Sequence, residues 1–406
     1  MLCGDGRRVS NGMQKIKKFY FENLKKNSVL LIYLIGFFTT MHVGIPVYIN
    51  SPFLSAYTTE QFVGIIFTIG SFLSILGILA ATKSIEKYGN YRTMLVLISL
   101  EIMALAGMIA FNSFILIVPA FFIHFIFTFI FGINIDVLLE HHSKDEKTGG
   151  IRGTFLTLNN FAWVVVPVLA GFIVKSGSFW KAYLVSIIFL IPVLFLLASS
   201  FKNFKDPKYK RLKFWETLKR VRGNKNIKNI FLVGVTMRIF FAIMIIYTPI
   251  YLLNHIGFSF GEMGIILTIA MMAYLLLEYP LGKIADTKFG EKEILIAGFI
   301  ILSATTITVS FITGTSLILW AVIMFATRVG AAMIESMSET YFFKKTDSSD
   351  ADVLSFFRTA GPIAYLIAPT LGSIFLIFFD LKYIFLATGI IMLIGIKFAF
   401  SIKDTN

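Results

Sequence analysis

Apolar runs of about twenty residues, separated by short polar stretches, recur from residue 29 to the end of the chain. A bilayer core takes roughly 20 apolar residues per helix. Such runs fall at 29–49, 61–83, 92–111, 115–138, 153–175 and 180–200. After a polar stretch they resume at 228–253, 262–284, 293–312, 316–340, 353–378 and 382–402. The pattern predicts an all-α polytopic membrane protein with twelve transmembrane helices in two six-helix halves. The predicted organisation is a basic N-terminal tail over 1–28, a first half over 29–200, a basic linker over 201–227, a second half over 228–402 and a short tail over 403–406.

Composition supports this and excludes a water-soluble fold. Of the 406 residues, 57% are hydrophobic and 15% charged, against about 25% charged in an average soluble domain. The single cysteine, Cys3, excludes intramolecular disulfides and cysteine-based metal clusters. No Walker A pattern is present, so ATP hydrolysis, a metal and a cofactor are all absent from the expectation. His141 and His142, with Asp145 and Glu146 nearby, lack the spacing of a metal or acyl-transfer motif and read as a polar loop. No catalytic group is identified, and the chain reads as a non-enzyme.

The net charge of +14 is a topology signal. Placed with the N-terminus inside, the cytoplasmic segments carry 31 of the 37 Lys and Arg residues, 11 of them in 201–228. The outer loops carry only Lys175, Lys181 and Lys382, and Arg238, Arg328 and Arg358 lie within spans. This asymmetry predicts cytoplasmic termini in the cell membrane and removes a nucleic-acid partner. The basic stretch before the first span has no small-residue cleavage site after it and reads as the flank of a retained helix; Met13 opens a more typical start than Met1.

The halves repeat at an offset near 200. Pro46-Val47-Tyr48 returns as Pro249-Ile250-Tyr251, and the Gly64–Ile69 segment returns at Gly264–Ile269. Asp136 with Glu140 returns as Glu335 with Glu339, and Pro167 returns as Pro369. A parallel repeat of six helices places a substrate path between the halves.

Between spans 8 and 9 stand Gly282, Asp286, Lys288, Gly290 and Lys292; between spans 2 and 3, Glu86, Lys87, Gly89 and Arg92 form a degraded copy. On these loops, the twelve spans, the central basic linker and the repeat, the chain resembles the major facilitator superfamily from residue 29 onward. The resemblance implies a monomeric secondary transporter working by alternating access on a small molecule. It also implies that Asp286 and Glu86 face helix N-termini, where unpaired N–H groups favour negative charge. The natural ion-pair sets are then Lys288 and Lys292 with Glu335 and Glu339, and Lys87 and Arg92 with Asp136 and Glu140, together forming a cytoplasmic gate.

Span 5 resembles that family's antiporter signature, with Gly153, Ala162, Val166, Pro167, Ala170 and Gly171 at its six positions. Span 11 repeats it through Pro369, Gly372 and Ser373. Small residues allow close helix packing in lipid, and the resemblance implies proton antiport, hence efflux. A facilitator or proton-coupled importer of a polar or anionic solute is the alternative, and a non-transporting sensor or assembly factor is the alternative of a different class. Ionisable groups at membrane depth are functional candidates. The implied fold lines its cavity with the first and fourth helix of each half, which puts His42, His124, Arg238 and Arg328 on the substrate path. Asn159, Asn160 and Trp163 add a polar and aromatic patch on span 5. Glu278 and Arg358, at matching depth on spans 8 and 11, read as a proton-coupling pair. Glu101 lies mid-span 3, a helix expected to be peripheral.

Overall fold

The structure, a computed structural model, describes residues 28–142, 148–175, 177–202, 204, 214–287, 289–345, 356–357 and 359–403, apart from a few side chains at the edges of these segments. The described residues form twelve helices long and apolar enough to cross a membrane. These are α1 (Ser28–Val47), α2 (Glu60–Tyr88), α3 (Asn90–Ala110), α4 (Phe114–His142), α5 (Thr148–Ile173) and α6 (Phe179–Ser200). The second half comprises α7 (Lys225–Ile250), α8 (Phe260–Thr287), α9 (Glu291–Val309), α10 (Leu317–Lys345), α11 (Ala360–Phe378) and α12 (Tyr383–Phe400). Helices satisfy every backbone polar group within the segment, which a hydrocarbon environment demands. A short linker helix, Phe214–Gly223, lies between the halves.

Both halves use one packing scheme. In the first, α1 packs on α5 and α6, α3 on α4 and α6, and α2 on α4. In the second, α7 packs on α11 and α12, α9 on α10 and α12, and α8 on α10. The repeated Pro-x-Tyr segment leaves its mark on both leading helices. After Pro46 the first helix breaks and resumes as Asn50–Ser55, and after Pro249 the seventh widens into a π-helical turn, Tyr251–Ile256. Proline removes a backbone donor, and each helix reorganises just beyond it. Gly89 joins α2 to α3 with φ +87°, a left-handed conformation that side chains disfavour.

The halves meet along α2–α11 and α5–α8. Gly64 lies against Ser373, Tyr247 and the Pro369 carbonyl, while its repeat mate Gly264 lies against the Pro167 carbonyl and the Gly171 backbone. Thr68 Oγ1 is 3.1 Å from Thr370 Oγ1, and its mate Thr268 Oγ1 accepts from Val168 N at 3.0 Å. Gln61 Nε2 donates to the Leu376 carbonyl at 2.9 Å, and Glu60 meets His255 at 2.6 Å. These contacts lie toward the end opposite the start of α1 and the end of α12 and close it. Outward-facing positions are apolar, as at Met103, Ile115, Ile318 and Val322; surfaces of this kind belong against lipid.

Candidate substrate cavity

A cavity of about 730 Å³ lies between the halves, beneath the closed end. Its walls follow helical spacing. Arg238, Phe241 and Ile245 share one face of α7, and Met271, Tyr274 and Glu278 one face of α8. Arg328, Glu335, Ser336, Glu339 and Thr340 descend α10 at intervals of seven, one, three and one. Residues three, four and seven apart share a helix face, so one face of each helix delivers its side chains to one space.

The two halves contribute different chemistry. The charged lining groups (Arg238, Arg328, Glu278, Glu335 and Glu339) all come from the second half. The first half supplies Tyr48, Asn50, Thr128, Asn160 and Trp163, with Phe67, Phe125 and Phe129. Arg238 Nη2 is 3.2 Å from Glu335 Oε1, both side chains being partly open to the cavity, and its guanidinium lies 5.8 Å from the Phe241 ring centre. Glu278 accepts two hydrogen bonds from Asn160 Nδ2, at 3.1 and 3.2 Å, across the inter-half boundary.

Arg328 differs from Arg238. It is 1% exposed, its guanidinium stands 5.0 Å from the Phe240 ring centre, and Nη1 donates to Thr327 Oγ1 at 3.3 Å. Its Nε has no hydrogen-bond partner, and no acid lies within ion-pair distance among the described residues. Tyr48 and Tyr274 are its electrostatic neighbours, and the Tyr274 hydroxyl also lacks a partner. A buried guanidinium is costly unless paired, so this corner is short of an acceptor.

Of the residues singled out from the sequence, Arg238, Arg328, Asn160, Trp163 and Glu278 line the cavity. Others are corrected. His42 and His124 are fully buried inside the first half, bound to Glu101 at 3.2 and 2.6 Å; Glu101 is therefore interior, because α3 packs between α4 and α6 and its acid needs partners. Asn159 is absent from the lining, since adjacent helical residues point about 100° apart and Asn160 takes the cavity side. Glu335 and Glu339 line the cavity and do not meet Lys292, which lies 4.7 Å from the Phe400 ring centre. Buried Glu291 is met by Lys344 at 2.6 Å. Lys87 stacks on Tyr88 at 5.0 Å, and the buried link from the α3 start to α4 is an amide pair: Asn134 Nδ2 donates to Asn90 Oδ1 at 2.7 Å, and Asn90 Nδ2 to the Asn134 carbonyl at 3.0 Å. Gly153 and Gly282 face open space, so neither serves close packing, whereas Gly171 and Gly372 do. Glu86 and Asp136 keep their helix-end positions and Arg92 is exposed. Gly290 caps α9 in an extended conformation, without the positive φ of Gly89, because the second loop has an extra residue. The expectations for Arg358, Lys288 and the side chains of Asp286 and Glu140 lie outside the described residues.

The sequence reading did not single out Tyr48, Asn50, Tyr274 or Tyr365 as cavity residues. The seven-residue interval linking Arg328 to Glu335 was a signal that would have located the α10 wall.

Among solved structures, the fold is similar to the nucleoside transporter NupG in a mutant form (TM-score 0.71, 10% identity, 93% of this chain and 100% of that one). It is also similar to a bacterial homolog of the human lysosomal transporter Spinster in an inward-facing, unoccupied conformation (0.71, 12%, 93% and 96%) and to an auto-inhibited POT family peptide transporter (0.74, 10%, 93% and 98%). At these identities the likeness establishes the fold alone. No curated protein matches in sequence. The family model of the Major Facilitator Superfamily matches residues 32–261 and 230–405, nearly the whole described chain. The chain is an integral membrane protein of the Major Facilitator Superfamily.

Proposed function

We propose that the protein moves a small anionic solute with an apolar, often aromatic, body through the central cavity by alternating access, in exchange for protons. The observation that carries the reading is Arg328, a buried cation on the cavity wall with an unfilled donor and no acid in ion-pair distance among the described residues. A carboxylate or phosphate would supply the missing acceptor, since guanidinium donors match such anions well. The aromatic walls from Phe125, Phe129, Trp163 and Tyr365 suit an apolar body.

Glu278 is the proposed proton carrier, held by Asn160 of the opposite half and therefore sensitive to how the halves meet. With the termini in the cytoplasm, as the Lys and Arg distribution suggests, the closed end faces outward and the cavity faces inward. The antiport reading rests on the resemblance of α5, through Gly153, Pro167 and Gly171, to the family's antiporter signature. The test is transport in proteoliposomes of aromatic carboxylates and organic phosphates, with and without a pH gradient. An anion should exchange for protons with wild type and lose at least about tenfold in apparent affinity with Arg328→Gln, since hydrogen bonds to charged groups contribute about 1.5–3 kcal/mol. Transport of neutral solutes only, unaffected by Arg328→Gln, would overturn the proposal.

A further inference from the structure

His42, Glu101 and His124 form a buried cluster that the transport reading does not use. The positions of its protons follow from its partners. Pro46, four residues after His42, has no N–H, so the His42 carbonyl lacks its helical donor. Ser186 Oγ on α6 donates to that carbonyl at 2.8 Å, which uses its hydroxyl proton. His42 Nδ1, 2.7 Å from Ser186 Oγ and 3.0 Å from the Ser186 carbonyl, must then carry its own hydrogen and donate it. This leaves His42 Nε2, which makes no well-aligned hydrogen bond, 3.2 Å from Glu101 Oε1. A bare imidazole nitrogen and an ionised carboxylate would present lone pairs to each other in a fully buried site. A proton on Nε2 or on the carboxyl group removes that repulsion.

The other ring is fixed as well. His124 Nδ1 donates to Glu101 at 2.6 Å, while Nε2 accepts from Asn50 Nδ2 at 3.3 Å. Tyr183 of α6 donates to Asn50 Oδ1 at 3.1 Å, orienting the amide. The charged or titratable groups acting on Glu101 are His42 from α1 and His124 from α4; α6 presents Ser186 and, through Asn50, Tyr183. Glu101 Oε2 has no hydrogen-bond partner. Asn50 itself lines the cavity.

We propose that His42, Glu101 and His124 constitute a second proton-binding site, separate from Glu278, whose occupancy is reported to the cavity wall by Asn50. The shared proton is held by His42 Nε2 or by Glu101, 3.2 Å apart. A further proton on His124 Nε2 would oblige Asn50 to turn its amide so that the oxygen faces the ring, changing the hydrogen-bonding group beside the substrate. The site stands whether or not Glu278 carries the coupled proton.

The test uses the full-length wild-type protein in lipid nanodiscs, with protons as the ligand. Nitrogen-15 histidine NMR across about pH 5 to 9 reads each ring, with His42→Gln and His124→Gln assigning the signals. Infrared difference spectra read the protonated carboxyl, with Glu101→Gln assigning that band. The expected result at about pH 7 is either an imidazolium at His42 or a protonated Glu101, lost in a single step as pH rises. Asn50→Ala should change the His124 Nε2 signal, by removing its hydrogen-bond donor, while leaving the shared proton in place. A neutral His42 beside an ionised Glu101 throughout that range in the wild type would overturn the proposal. So would a His124 Nε2 signal unchanged in Asn50→Ala, which would sever the link to the cavity.

Discussion

Arg238 on α7 and Glu335 on α10 face each other at 3.2 Å within the cavity wall, both still partly open to it. Their helices belong to the same half, so the pair holds that wall together without bridging the moving boundary. Arg328, seven residues before Glu335 on α10, is left to a ligand.

Removing one member of the Arg238–Glu335 pair should cost more than removing both. Arg238→Gln and Glu335→Gln should each lower the melting temperature, and the double substitution should recover part of the loss. Because the pair is partly solvated, the coupling should be nearer ~1 kcal/mol than the 3–5 kcal/mol cost of breaking a fully buried pair. A double-mutant cycle in detergent checks this, and strictly additive losses would refute it.

Glu278→Gln mimics the protonated acid and keeps a group that Asn160 can bind. It should abolish accumulation driven by a pH gradient and leave solute exchange near wild-type rates. Paired measurements in proteoliposomes, one with a gradient and one of counterflow, separate the two. Persistent pH-driven accumulation would move the coupling group elsewhere.

The Asn90–Asn134 link is buried and reciprocal. Asn90→Ala strips the Asn134 amide and carbonyl of their partner, an expected loss of about 1–3 kcal/mol. Asn90→Asp, which keeps the acceptor but not the donor, should fall between. Thermal unfolding of the two variants against wild type decides it.

The fold was legible because its signals are long and repeated. Twenty-residue apolar runs admit little besides a helix in lipid, and Gly64 with Gly264, or Pro167 with Pro369, marked the repeat, though not that these positions meet across the halves. The cavity was only partly legible. Arg238, Arg328 and Glu278 stand out as charges at membrane depth, but which neighbour each one meets depends on helix rotation. A rotation of one residue separates Asn160 from Asn159, and the same geometry drew Glu335 inward from its expected gate partner. Glu101 was misplaced because position along a span does not reveal whether two histidines wait on the adjoining helices.

The central claim is that the halves rock about the cavity, one end opening as the other closes. Gly264 packs against the Pro167 carbonyl and the Gly171 backbone, with no room for a side chain. Gly264→Trp is therefore a wedge in the closed end that requires no knowledge of the substrate. Spin-label distances between the α1–α2 and α7–α8 connections, and between the α2–α3 and α10–α11 connections at the other end, report both faces. The account predicts that the wedge lengthens the first distance and shortens the second in the same molecules. A lengthened first distance with the second unchanged would contradict it.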